Sequence, residues 1–172
     1  PVKILGIEDE VMQKFIVEKY GLSGEQAADI VHISNGSMLE AKEQIWASDE
    51  NKFNLEQFIR LMRFSYSRKI ADALKWADEM AKTGRERQKS FLKYCNILIR
   101  ENYIYNYKNK QLNYLTKDEE AFAANFAKFV NATNVAEMTG VFDDAHYHIE
   151  RNGSARIIFT DLCFLVMKAL KK

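Results

Sequence analysis

At 172 residues, with 47% hydrophobic and 28% charged side chains, the chain is long enough to bury a sizeable core and ordinary in composition for a globular protein. A formal net charge of +1 excludes the strong overall positive balance of a dedicated nucleic-acid-binding domain, and no apolar run reaches the roughly 18 residues of a helical membrane span. The only proline is Pro1 and there are 7 glycines, which suits long helices and argues against turn-rich β structure, so an all-α fold is expected.

In chain order, Val11, Met12, Phe15, Ile16 and Tyr20 recur at helical spacing, and Gly21 supplies a C-terminal stop. Ser23 and Gln26 form a capping box that starts a second helix, whose Ala27, Ala28, Ile30 and Val31 give a compact face ending before Gly36. Gly36 can take the positive φ that ends this helix, while Ser37 and Glu40 form the S-x-x-E box that starts a third, from Met38 to about Trp46. Three short helices therefore define a small subdomain over residues 1–46. Residues 47–53 (A-S-D-E-N-K-F) break the apolar period and read as a linker, with Asn54 and Gln57 as a fresh helix start.

Beyond the linker, residues 54–172 read as five or six helices, over roughly 55–66, 67–82, 85–107, 117–131, 135–152 and 155–170, the first two able to fuse. Thr116 and Glu119 form a further capping box, and Met138, Phe142, Ala145 and Ile149 form a stripe at three-and-four spacing. The last helix is apolar around most of its circumference, from Ile157 to Leu170, which predicts a central helix or one shared with partner chains.

Chemistry-bearing clusters are few. Asp143, Asp144, His146, His148 and Glu150 crowd five metal-ligand types together, but His146 and His148 point about 200° apart on a helix, so a solvated helix edge is expected and no metal site. Arg85, Arg87, Lys89, Lys93 and Arg100, with Tyr103, Tyr105, Tyr107, Lys108 and Lys110, combine cations with aromatics as nucleic-acid surfaces do, yet alternate tyrosines cannot share one helical side, and most of these charges should face water. No G-x-x-x-x-G-K-[ST] loop and no nucleophile-base-acid arrangement is present, so neither a cofactor nor a catalytic role is expected. Cys95 and Cys163 lack ligand or redox spacing and read as buried thiols in a reducing compartment; with no secretory signal, a cytoplasmic location is expected.

The segment Gly36-Ser37-Met38-Leu39-Glu40-Ala41 resembles the Gly-Ser-x-Arg-x-Ala pattern in the lid subdomain of AAA+ clamp-loader subunits, where the arginine senses bound nucleotide. Leu39 stands at that arginine position and cannot donate a hydrogen bond to a phosphate, so the resemblance implies a degenerate sensor in a subunit that does not hydrolyse ATP. Glu150-Arg151-Asn152-Gly153-Ser154-Ala155-Arg156-Ile157-Ile158 resembles the E-R-N-x-N-P-R-L pattern that opens the final collar helix of bacterial clamp-loader delta-prime and related subunits, with Ser154 and Ala155 where asparagine and proline are common. Taken in order, the chain is similar to the C-terminal two-thirds of a DNA polymerase III delta-prime subunit, without the nucleotide-fold domain that precedes the lid in that family.

The resemblance implies a non-catalytic part in DNA replication: collar domains associate into a pentameric ring that places a sliding clamp on primed DNA. Expected partners are the other clamp-loader subunits directly, and the clamp and primer-template DNA through the complex, with no membrane. Arg151, Asn152, Arg156 and Phe159 are the implied interface residues, although Arg151 and Arg156 could equally form ion pairs or helix caps within the chain. A gamma or tau type of subunit and a stand-alone helical adaptor, binding a partner helix in an apolar groove, are the alternatives.

Overall fold

A computed structural model of the chain describes residues 7–34, 36–107 and 112–170. Among these residues the fold is all-α, as expected: α1 (Asp9–Tyr20), α2 (Gly24–Ser34), α3 (Met38–Ser67), α4 (Ile70–Ala81), α5 (Arg85–Tyr105), α6 (Lys117–Phe126), α7 (Val135–Glu150) and α8 (Ala155–Ala169), with a 3-10 turn at Ala127–Phe129 and no strand. The helices gather into two compact units, Pro1–Lys52 and Phe53–Lys172.

The first unit buries Met12 and Ile16 of α1, Ala27 and Val31 of α2, and Ala41 and Ile45 of α3. Gly21, at φ 66°, ends α1 by donating its N–H to the Val17 carbonyl. The Ser23–Gln26 capping box forms in both directions, at 3.2 and 3.3 Å. The exposed Trp46 belongs to this unit.

The expected linker at 47–53 is helical, and the third and fourth predicted helices are one 30-residue helix. The break in apolar periodicity marks solvent exposure rather than loss of helix: the stretch holds no glycine or proline, and Ala, Glu and Lys are good helix formers. Asn54 and Gln57 accordingly do not start a helix. Both are buried within α3, where Asn54 Nδ2 donates to Ser90 Oγ (3.3 Å) and Gln57 Oε1 accepts from Trp76 Nε1 (3.0 Å). The helix stops instead at Arg68, at φ 53°, where Arg68 N–H bonds to the Ser65 carbonyl and Lys69 N–H to that of Phe64, the double closure of a Schellman end.

The second unit is organised around Trp76, which is fully buried and surrounded by Phe64, Phe91 and Phe159 at centroid distances of 5.6, 5.7 and 5.7 Å. Buried amides close the open carbonyls of helix ends here. Gln88 Nε2 donates to Met80 O (3.0 Å) at the end of α4, and Asn134 Nδ2 to Phe129 O (2.8 Å) and Ala169 O (3.3 Å). The Thr116–Glu119 box caps α6 as expected, and Glu119 also accepts a short bond from the Tyr94 hydroxyl. Burial and that carboxylate hold the Tyr94 phenol far above its ordinary range.

Candidate functional site

Each residue of the Gly36–Ser37 joint has a distinct local task. Gly36 sits at φ 81° and its carbonyl accepts from Ile7 N–H (3.0 Å). Ser37 Oγ accepts from Glu40 N–H (3.4 Å), but the reciprocal half of the expected box is absent, because Ser37 N–H is taken by the Ser34 carbonyl at 2.8 Å. Ala41 is buried in the first unit's core, while Leu39, in the first turn of α3, is 67% exposed. The side chain at the sensor-like position is therefore free to meet another surface, but only as an apolar group. Asn35 lies outside the described residues.

Glu150 to Arg156 forms the corner between α7 and α8. Asn152 adopts φ 64° and bonds to the Ile149 carbonyl (3.1 Å), while Gly153 N–H reaches the His148 carbonyl (2.9 Å), a second Schellman closure. A Cβ on Gly153 would lie 2.9 Å from the His148 oxygen and 2.8 Å from Ile158 Cδ1, which explains the glycine. Arg85, at the start of α5, donates to Ile149 O (2.9 Å) and Gly153 O (3.4 Å) and so ties this corner to the bundle. Ser154 occupies the N-cap position of α8 but makes no side-chain cap bond, so the expected hydroxyl capping does not form.

Three of the four implied interface residues have partners within the chain. Arg151 lays its guanidinium 3.4 Å from the Tyr147 ring centre and 3.9 Å from Glu150, Arg156 Nε pairs with Asp78 Oδ1 at 2.7 Å, and Asn152 acts through its backbone turn. The fourth, Phe159, is a core residue. It is 0% exposed between Trp76 and Phe91, so no neighbouring subunit can reach it. The helical period explains this: Phe159, Leu162, Cys163 and Val166 share the inward face of α8, leaving Ile157 and Phe164 outside. The last helix is thus an outer helix with one buried face rather than one buried all round.

α8 packs against α4. The Arg156–Asp78 pair and the Cys163 thiol, 3.8 Å from the Ala73 carbonyl, set the helices antiparallel; Phe164, next to Cys163 in sequence, and Ile70 and Leu74 of α4 are exposed. The exposure of these apolar side chains was hidden in the sequence because they lie in two helices about 90 residues apart, and each fits an ordinary amphipathic pattern.

The cations of α5 are largely committed: Arg85 to the corner, Lys89 to Glu86 (2.7 Å), Arg100 to Glu101 (3.2 Å), and Arg87 over the Phe53 ring at 4.1 Å. Tyr103 and Tyr107 join through their hydroxyls at 2.6 Å, whereas Lys108 and Lys110 lie outside the described residues. Asp143 accepts from Asn96 Nδ2 at 2.6 Å, and among the described residues no three His, Cys, Asp or Glu side chains converge as a metal site. Burial pushes the Cys95 thiol well above its usual range and that of Cys163 up to about 12, so neither supplies a thiolate nucleophile. No helix among the described residues is long and apolar enough to cross a membrane. No family model, no curated protein and no solved structure matches this chain.

Proposed function

We propose that this chain is the C-terminal part of a delta-prime-like clamp-loader subunit, acting in bacterial DNA replication by helping to assemble the pentameric loader that places the sliding clamp on primed DNA. The observation that carries the assembly role is the exposure of the large apolar side chains Ile70 and Leu74 on α4 and Phe164 on α8, the last on the helix that the resembled family uses in its collar. Such side chains are stabilised when covered by a neighbouring helix. Leu39 supports a scaffold rather than a motor: an exposed leucine can pack against a neighbour but cannot answer a nucleotide phosphate. The sliding clamp and DNA are reached through the complex, and no residue makes or breaks a covalent bond.

Mixing the chain with the other clamp-loader subunits and measuring complex mass by light scattering tests this reading. The wild-type chain should enter the complex, and Phe164→Asp or Leu74→Asp should keep it out while leaving its helicity intact. Failure of the wild-type chain to associate would sink the proposal. A second reading, a helical adaptor, is favoured by a groove of about 470 Å³ lined by Ile59, Met62, Phe122, Phe126 and Phe129, which could accept the apolar face of a peptide helix. That reading gains if the chain stays out of the loader and Phe122→Asp removes binding of such a peptide.

A further inference from the structure

We propose that the corner between α3 and α4 binds single-stranded nucleic acid, with a basic cleft holding the phosphate backbone and Tyr66 serving as a platform for an unstacked base. This site does not depend on the clamp-loader reading. Residues 60–75 carry five cations (Arg60, Arg63, Arg68, Lys69 and Lys75) against one carboxylate, Asp72, in a chain whose net charge is only +1. The turn at Arg68 folds these charges together, and Arg60, Arg63, Lys69 and Lys75, with the single carboxylate of Asp72, line one cleft of about 280 Å³.

Two properties make this more than a solvated charge run. Arg60 is held in place by Glu79 (2.7 Å) and Gln57 (3.0 Å), whereas Arg63, Arg68 and Lys69 form no ion pair among the described residues. A local excess of positive charge attracts a polyanion. Independently, Tyr66 is 62% exposed, and its ring rests 4.8 Å from that of Phe129, tilted 51° against it. Arg63 lines both the basic cleft and the adjoining groove that contains Tyr66, so a phosphate at the guanidinium and a base at the tyrosine can belong to one short stretch of strand. A duplex keeps its bases stacked and cannot offer one to the ring, which favours the single strand.

The test is fluorescence anisotropy of the whole chain alone with a labelled oligothymidylate of about 15 nucleotides. Three phosphate contacts predict a slope of about −2 in log affinity against log salt, or roughly a twenty-fold loss between 50 and 200 mM. Arg63→Glu with Lys69→Glu should weaken binding at least about ten-fold and flatten the slope, whereas Lys93→Glu on α5 should change neither. Tyr66→Ala should weaken single-strand binding about five-fold or more with the slope kept, and should barely affect a duplex of the same length. Retained thermal unfolding of each variant separates lost binding from lost folding. Absence of salt-dependent binding, an equal loss with Lys93→Glu, indifference to the corner variants, or binding only to anionic lipid vesicles would each overturn the proposal.

Discussion

Replacing Phe159 by alanine separates a core residue from an interface residue. Phe159 is 0% exposed, edge-on to Trp76 at 5.7 Å and 85°, and tilted against Phe91 at 6.4 Å and 47°. Removing the ring forfeits about 1.5–3 kcal/mol of burial and about 0.5–1.5 kcal/mol for each aromatic pair, with a cavity left where the surroundings cannot collapse. The expected loss is about 3–5 kcal/mol, the range typical of buried Phe→Ala changes. A unit of about 120 residues has about 6–18 kcal/mol of stability to lose, so the variant should stay folded at 25 °C with its melting temperature lowered by about 10–20 °C. Urea denaturation followed by circular dichroism, with calorimetry alongside, measures this on the chain alone. Phe164→Ala is the internal comparison and should cost less than about 1 kcal/mol, because the residue is 43% exposed. If Phe159→Ala cost under about 1 kcal/mol, the packing assigned to α8 would be wrong.

Arg85→Ala should lower the urea midpoint by the equivalent of about 1–2 kcal/mol, because the carbonyls of Ile149 and Gly153 lose a charged donor; Arg85→Lys should recover only part, since one ammonium cannot reproduce the fork. Arg68→Gly should raise stability by about 0.5–1 kcal/mol in thermal unfolding, because glycine accepts φ 53° without the Cβ penalty. The hydrogen bond from Arg60 holds the Glu79 carboxyl below its ordinary 4.5, so the pair's contribution is complete above pH 4.5 and disappears as pH falls through the lowered folded value. With both side chains near 40% exposed this is only about 0.2–1 kcal/mol, and an Arg60→Ala/Glu79→Gln double-mutant cycle should show it at pH 7 and show it shrinking as the pH is lowered below 4.5. Cys95 and Cys163 should resist a thiol reagent in the native chain at pH 8 and react only on unfolding; rapid native labelling would contradict their burial.

Helix positions were legible wherever amphipathic period and cap chemistry agreed, as at Thr116–Glu119 before α6 and Ser23–Gln26 before α2. They misled where a polar run stayed helical: residues 46–52 offer no inward apolar side chain between Ile45 and Phe53, and period alone cannot tell an exposed turn from a break. The stop at Arg68 carried no glycine or proline to announce it. Among site residues, the conformational duties of Gly36 and Ser37 could be read from residue type, although Ser34 displaced half of the box. Phe159 was misread because a helix apolar on many sides does not reveal which side turns inward. Only the partner helices decide that, and Trp76 and Phe91 lie 83 and 68 positions away in sequence.

The chain's two tryptophans fall one to each compact unit: Trp46, 60% exposed, in the first, and Trp76, fully buried with its indole N–H on Gln57, in the second. Each unit therefore carries its own optical label. Trp76 should emit at short wavelength and shift red only when the second unit opens, while Trp46 already emits as a wetted indole and should be readily quenched by iodide. With Trp46→Phe and Trp76→Phe as single-colour versions, melting of the two units can be followed separately in an otherwise unlabelled chain, and two non-coincident transitions would show that each unit unfolds cooperatively by itself.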